Sequence, residues 1–155
     1  MDSQAVAAWA EAVAPPADGE AFMSTPKQHA HLARHIDEHK VRDAIHTAES
    51  STTAKIHVLL GERFGGSTLK HATTLFKRAG LDRSKERNGV LFFVAPHRRE
   101  FAVVGDAGIH ERVGQEFWDR VVAAMSERIK QDDLTAGLVH GIEAAGAQLR
   151  QHFPR

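Results

Sequence analysis

The stretch that decides the fold is Glu86–Ile109, ERNGVLFFVAPHRREFAVVGDAGI. Val90–Val94 and Phe101–Val104 are runs of apolar, mostly β-branched or aromatic residues, the composition of buried strands. Pro96–Arg99 supplies a polar turn between them, so the pair reads as a β-hairpin. Asn88-Gly89 stands before the first run and Gly105-Asp106-Ala107-Gly108 follows the second. In an antiparallel pair the start of one strand and the end of the next share one end of the sheet. Asn88 and Asp106 are therefore expected as neighbours, and the polar rim they define is the expected functional site.

Working outward, a helix is expected from about His31 to Ser50, with Val41, Ala44, Ile45 and Ala48 on one face. Lys55–Leu60 reads as a strand. Gly61, Gly65 and Gly66 form its exit, and Ser67 or Thr68 caps a helix to about Ala79, with Gly80 just past its end. After the hairpin, Val113, Phe117, Val121, Met125 and Ile129 mark a long helix over about 111–130. Asp132 or Asp133 caps a last helix to about His152, and Gly137, Gly141 and Ala145 predict close approach to a neighbouring backbone. The order α-β-α-β-β-α-α implies a right-handed βαβ unit with an antiparallel strand added. Four helices suffice to cover both faces of a small mixed β-sheet, giving an α/β class, three-layer α/β/α sandwich.

Residues 1–28 differ from the rest. Val6, Trp9, Ala10 and Val13 have helical spacing, Pro15-Pro16 stops it, and the segment reads as a flexible N-terminal arm ahead of a 29–155 domain. At 155 residues, 42% hydrophobic and 26% charged, the composition is that of an ordinary globular domain. Twenty basic residues balance twenty acidic ones, which argues against nucleic acid as a partner. The absence of Cys excludes disulfides and thiolate metal sites. The first residues carry no basic n-region, and no apolar run reaches the ~18 residues of an integral membrane segment. A cytoplasmic protein is expected.

Following strand directions, the links into the first two strands and out of the third meet at one rim. It gathers Glu49, Ser50, Ser51, Thr52, Asp82, Glu86, Arg87, Asn88 and Asp106. Carboxylates mixed with hydroxyl and amide oxygens are the donor types of a calcium site, although no DxDxDG loop is present. Turn and cap chemistry accounts for the same residues: Asn88 tolerates a left-handed turn, and Asp106 caps the next helix. His31, His35 and His39 recur every four residues, an alternative transition-metal face on a helix. Gly61–Thr68 lacks the Gly-Lys-Ser/Thr ending of a phosphate loop. The basic cluster Lys77, Arg78, Arg83, Lys85 and Arg87 is interleaved with acids and reads as a solvated face.

Ala48-Glu49 followed by Ser/Thr and Ile56, together with LFKRAGLDRSKERNGVLFFVA, VVGDAGI, Phe117-Trp118 and Phe153-Pro154, resembles the TPM-domain family over about Ile36–Pro154. The resemblance implies an α/β/α sandwich and a short bacterial, cytosolic member. Some family members bind calcium, and a plant member has been assigned acid phosphatase activity. Carried onto this chain, the resemblance implies a Ca2+ site on Glu49 and Asp106, joined by Asp82 and Glu86, with Asn88, Arg87 and Thr52 lining the rim for a ligand or protein partner. Lys55 departs from the family, standing where relatives carry an acid; a cation there opposes metal binding. No Asp-x-Asp, Cys-x5-Arg or Arg-His-Gly nucleophile motif is present. The expected function is a noncatalytic binding or accessory module, with calcium as its cation. The alternative is a metal-dependent phosphomonoesterase on the same rim, with Arg87 neutralising phosphate charge.

Overall fold

The computed structural model describes residues 5–8, 36–61, 65–95, 100–129 and 133–155. The elements are β1 (Ala5–Ala8), α1 (Glu38–Glu49), β2 (Lys55–Leu60), α2 (Thr68–Arg78), a 3-10 turn (Leu81–Arg83), β3 (Gly89–Ala95), β4 (Glu100–Gly105), α3 (Ala107–Ile129) and α4 (Leu134–His152). Strand order is β1-β4-β3-β2. The β2 and β3 strands run parallel, from Lys55 beside Gly89 to Leu60 beside Val94. The β3–β4 hairpin is antiparallel, with Val90 beside Gly105 and Ala95 beside Glu100.

Every residue of β3 is buried, which is why the sequence there is a continuous apolar run rather than an alternating one. Alternate residues face two cores. Val90, Phe92 and Val94 meet Phe101, Val103 and the α1, α3 and α4 helices. Leu91, Phe93 and Ala95 meet Ala102, Val104, Ala72 and Phe76 of α2, and Leu81. The result is the expected three-layer sandwich, with three helices on one face and one on the other. A Cβ on Gly141 would stand 2.5 Å from Met125 Cγ, and one on Gly137 would stand 2.5 Å from Ile129 Cγ1. These absent side chains are what let α4 lie against α3, as their spacing predicts.

The caps follow local chemistry. Ser67 Oγ accepts from Lys70 N at 3.0 Å and Asp133 accepts from Ala136 N at 2.9 Å, each satisfying a helix-start donor. Gly80 lies past α2 with φ 74°.

Three elements differ from expectation. The α1 helix begins at Glu38, not His31: Asp37 is extended, and its carboxylate accepts from Lys40 N at 3.2 Å. His39 is therefore on the first turn, while His31 and His35 precede the cap and lie outside the described residues. Residues 5–8, read as part of a helical pattern, form an edge strand antiparallel to β4, with Ala5 beside Gly105; Trp9 and the remainder of 9–28 lie outside the described residues. The α3 helix starts at Ala107, four residues before the expected 111, and is broken at Gly114, whose φ of 70° and ψ of −175° divide it into two segments. Apolar spacing does not register a single glycine of that kind, because the stripe resumes in phase beyond it.

Candidate functional site at the head of the hairpin

The rim is built where α1 leads into β2, the 3-10 turn leads into β3, and β4 leads into α3. Asp106 N donates to Gly89 O at 3.0 Å, which closes the hairpin ladder and sets Asp106 beside Asn88 in the backbone. Their side chains serve different networks.

Asp106 is completely buried, and both its carboxylate oxygens are engaged. Arg87 Nε donates to Oδ2 at 2.7 Å and Nη2 to Oδ1 at 2.9 Å, a bidentate pair. Ala107 N also donates to Oδ1 at 2.8 Å. Arg87 is 44% exposed at its side chain, so the ion pair is buried at one end and wet at the other. Its backbone has φ 51°, a left-handed conformation found at no other described non-glycine residue. Such a residue costs about 1–2 kcal/mol, and the bidentate bond that holds the guanidinium in place is strong enough to offset it. Gly108 makes the approach possible. A Cβ there would lie 2.1 Å from Glu86 O and 2.6 Å from Arg87 O, so the turn rests directly on the first turn of α3.

Asn88, only 2% exposed, organises the second network. Its Nδ2 donates to Thr53 Oγ1 at 3.1 Å and Glu86 Oε2 at 3.0 Å. Ser84 Oγ donates to Asn88 Oδ1 at 3.3 Å and accepts from Asn88 N at 3.2 Å. Thr53 Oγ1 donates to Glu86 Oε2 at 2.5 Å, completing a closed triangle.

The other expected site residues go elsewhere. Glu49 Oε2 accepts from Ile56 N at 2.8 Å, tying the end of α1 to the start of β2. Thr52 is fully buried and turned away from the rim. Its Oγ1 donates to Phe153 O at 2.6 Å and Leu149 O at 3.1 Å, anchoring the end of α4. Thr53, its neighbour, takes the rim position instead. Asp82 lies in the 3-10 turn, half-buried, and His39 is exposed on α1. Thr53, Ser84 and Gly108 are the rim residues that sequence reasoning missed. Ser84 and Gly108 lie near Asn88 and Asp106 along the chain, and Thr53 follows Thr52 in the link into β2. Two buried nitrogens in α3, His110 Nδ1 and Trp118 Nε1, have no hydrogen-bond partner among the described residues.

This donor set does not fit a calcium ion as arranged. Asp106 spends both its oxygens on Arg87 and Ala107, Glu49 Oε2 accepts from Ile56 N, and Glu86 Oε2 accepts from Thr53 and Asn88. Among the described residues no three His, Asp or Glu side chains converge as metal ligands, whereas calcium requires ~6–8 oxygens. The guanidinium of Arg87 stands where a cation would meet Asp106.

The architecture is that of an α/β/α sandwich with a mixed sheet, its polar groups gathered at the head of a hairpin. The chain belongs to the TPM-domain family, whose profile matches residues 27–148. Its structure is similar to the NMR structure of the BA42 protein from the psychrophilic bacterium Bizionia argentinensis, with a TM-score of 0.72 and 34% identity over 77% of this chain and 84% of that one. No curated protein matches the chain. No helix among the described residues is long and apolar enough to cross a membrane.

Proposed function

We propose that this chain is a noncatalytic binding module that engages an acidic segment of a partner protein at the head of the hairpin. The observation that supports this reading is Arg87: a left-handed backbone and a buried carboxylate hold a half-exposed guanidinium at the rim. Backbone strain of this kind concentrates where a side chain must be presented in one orientation. Arg83 and Lys85 are exposed on the same turn beside the exposed Glu86 and half-buried Asp82, so with Arg87 the basic residues there outnumber the acidic ones. A guanidinium fixed by its own carboxylate loses less freedom on meeting a second one, which lowers the entropic cost of binding.

The phosphomonoesterase alternative requires a water activated by a metal between Glu49 and Asp106. Both carboxylates hold backbone or guanidinium donors instead, and no geometry here favours that reading. Calcium binding requires Arg87 to release Asp106.

The test is a titration of isotope-labelled full-length protein with an acidic peptide, followed by amide chemical shifts, and separately with calcium. Saturable shifts confined to residues 83–88 and 106–108, lost in Arg87→Ala, are expected with the peptide. Shifts unaffected by Arg87→Ala overturn the reading. Saturable calcium binding abolished by Asp106→Ala replaces it with a cation-dependent module. Turnover of a generic phosphate ester, lost in Asp106→Ala, replaces it with the hydrolase.

A further inference from the structure

We infer that the free edge of β2 is a self-association surface, on which a second copy of this chain pairs its own β2 antiparallel about a two-fold axis at Val58. The sheet order places β2 at an edge, and no strand among the described residues pairs with its outer side. An unpaired edge offers a row of backbone donors and acceptors, which only another extended segment satisfies fully. Natural edges are ordinarily blunted by charge, proline or a bulge. Beyond Lys55 at its start, β2 reads Ile56-His57-Val58-Leu59-Leu60 and carries none of these.

The side chains beside the edge on the α1 side are mostly apolar. Leu60 is 44% exposed, the sole exposed large hydrophobic residue among those described. With Val58 it borders a groove of about 220 Å³ between β2 and α1, lined further by Ile36, Val41 and Ile45, with Glu38 and Arg42 also lining it. A strand added here needs an apolar side chain to enter that groove. The β2 strand of a second copy supplies one, its own Leu60. The chain's formal net charge is zero, so two copies meet without net repulsion, a condition that favours association.

Backbone geometry restricts the register. Residues opposite one another in an antiparallel pair either both turn their backbone groups toward the partner or both turn them away. Two copies of one strand therefore centre on a residue, not between two, which leaves His57 or Val58 near the middle of β2. Centring on His57 sets two imidazoles opposite each other and Lys55 opposite Leu59. Centring on Val58 sets Val58 opposite Val58 of the second copy and Ile56 opposite Leu60, all on the α1 face. His57 then meets Leu59 on the other face. The second register covers the exposed Leu60 of each copy with apolar surface, and it is the one the side chains favour.

A pair of charge variants tests this arrangement. In a dilution series by sedimentation equilibrium, the full-length wild type is expected to reach twice the chain mass. Val58→Lys and Val58→Glu each place like charges together on the axis and raise the dissociation constant on the order of 100-fold. An equimolar mixture of the two variants is expected to regain the dimer. Thermal melts of each variant verify that both fold, and Leu60→Lys at the exposed end provides a second, fold-neutral disruption. A monomeric wild type overturns the inference. So does a dimer that survives both Val58 variants, and so does a mixture that stays monomeric.

Discussion

The head of the hairpin and the outer edge of β2 belong to one sheet and are opposite in character. At the head, polar groups are matched within the chain: Arg87 with Asp106, and Asn88 with Thr53, Glu86 and Ser84. At the edge, backbone groups and apolar side chains face outward without a strand to meet them among the described residues. A polar site that is internally satisfied is also a structural device: a ligand that needs Asp106 competes with bonds already made, whereas one that meets the exposed end of Arg87 does not. An open edge has no such competitor. The comparison predicts that substitutions at the head lower folding stability, whereas substitutions at the edge leave it nearly unchanged and act on association.

The largest effect is expected at Gly108. Alanine there drives a methyl into the carbonyl oxygens of Glu86 and Arg87, and backbone cannot yield as a side chain can. A loss of about 3 kcal/mol is expected in denaturant unfolding, at the upper end for overpacking. A loss under about 0.5 kcal/mol, the range of ordinary surface changes, breaks the claim that the turn rests on α3.

Next come the two ends of the ion pair. Asp106→Ala removes a bidentate partner and a helix-start acceptor, with an expected cost of about 2 kcal/mol after allowance for the exposed end of Arg87. Arg87→Gly deletes the same pair but also relieves the left-handed backbone, recovering about 1 kcal/mol. It leaves Asp106 buried without its cation, which works in the other direction. Arg87→Gly less damaging than Arg87→Ala by about 1 kcal/mol is the outcome that isolates the backbone term. Equal unfolding midpoints for those two variants count against strain at Arg87.

The smallest effect on folding is expected at the edge. Leu60→Lys changes an exposed side chain, and its unfolding free energy, measured at high dilution to exclude association, should stay within ~0.5 kcal/mol of wild type. A larger loss makes Leu60 part of the fold and erases the contrast between the two regions.

Much of this architecture is legible in the sequence because its signals are local. Ile56, Val58 and their neighbours between Lys55 and a glycine exit specify a strand. Ser67 and Asp133 are helix-start acceptors wherever an apolar stripe follows them. The hairpin is marked by two apolar runs around a polar turn. The start of α1 was harder to read, since histidines tolerate a helix without terminating one, and the acceptor at Asp37 decides the boundary. Thr52 and Thr53 show the limit most clearly. Both are β-branched hydroxyl residues one position apart, and one secures the end of α4 while the other joins the rim. Direction reverses between neighbouring residues of an extended chain, so composition alone does not assign them.

By itself the sequence determined the α/β order of elements from α1 onward, the hairpin, the caps of α2 and α4 and the family, since each depends on residues close together or on short blocks matched in order. Only the tertiary structure decided that Asp106 grips Arg87, that Gly108 admits the turn, and that β2 is the strand left at an edge. Those outcomes depend on which segments meet after folding. Pairing a buried carboxylate and satisfying a sheet's backbone are requirements of the whole molecule, met by whatever group the packing brings within a hydrogen bond's reach.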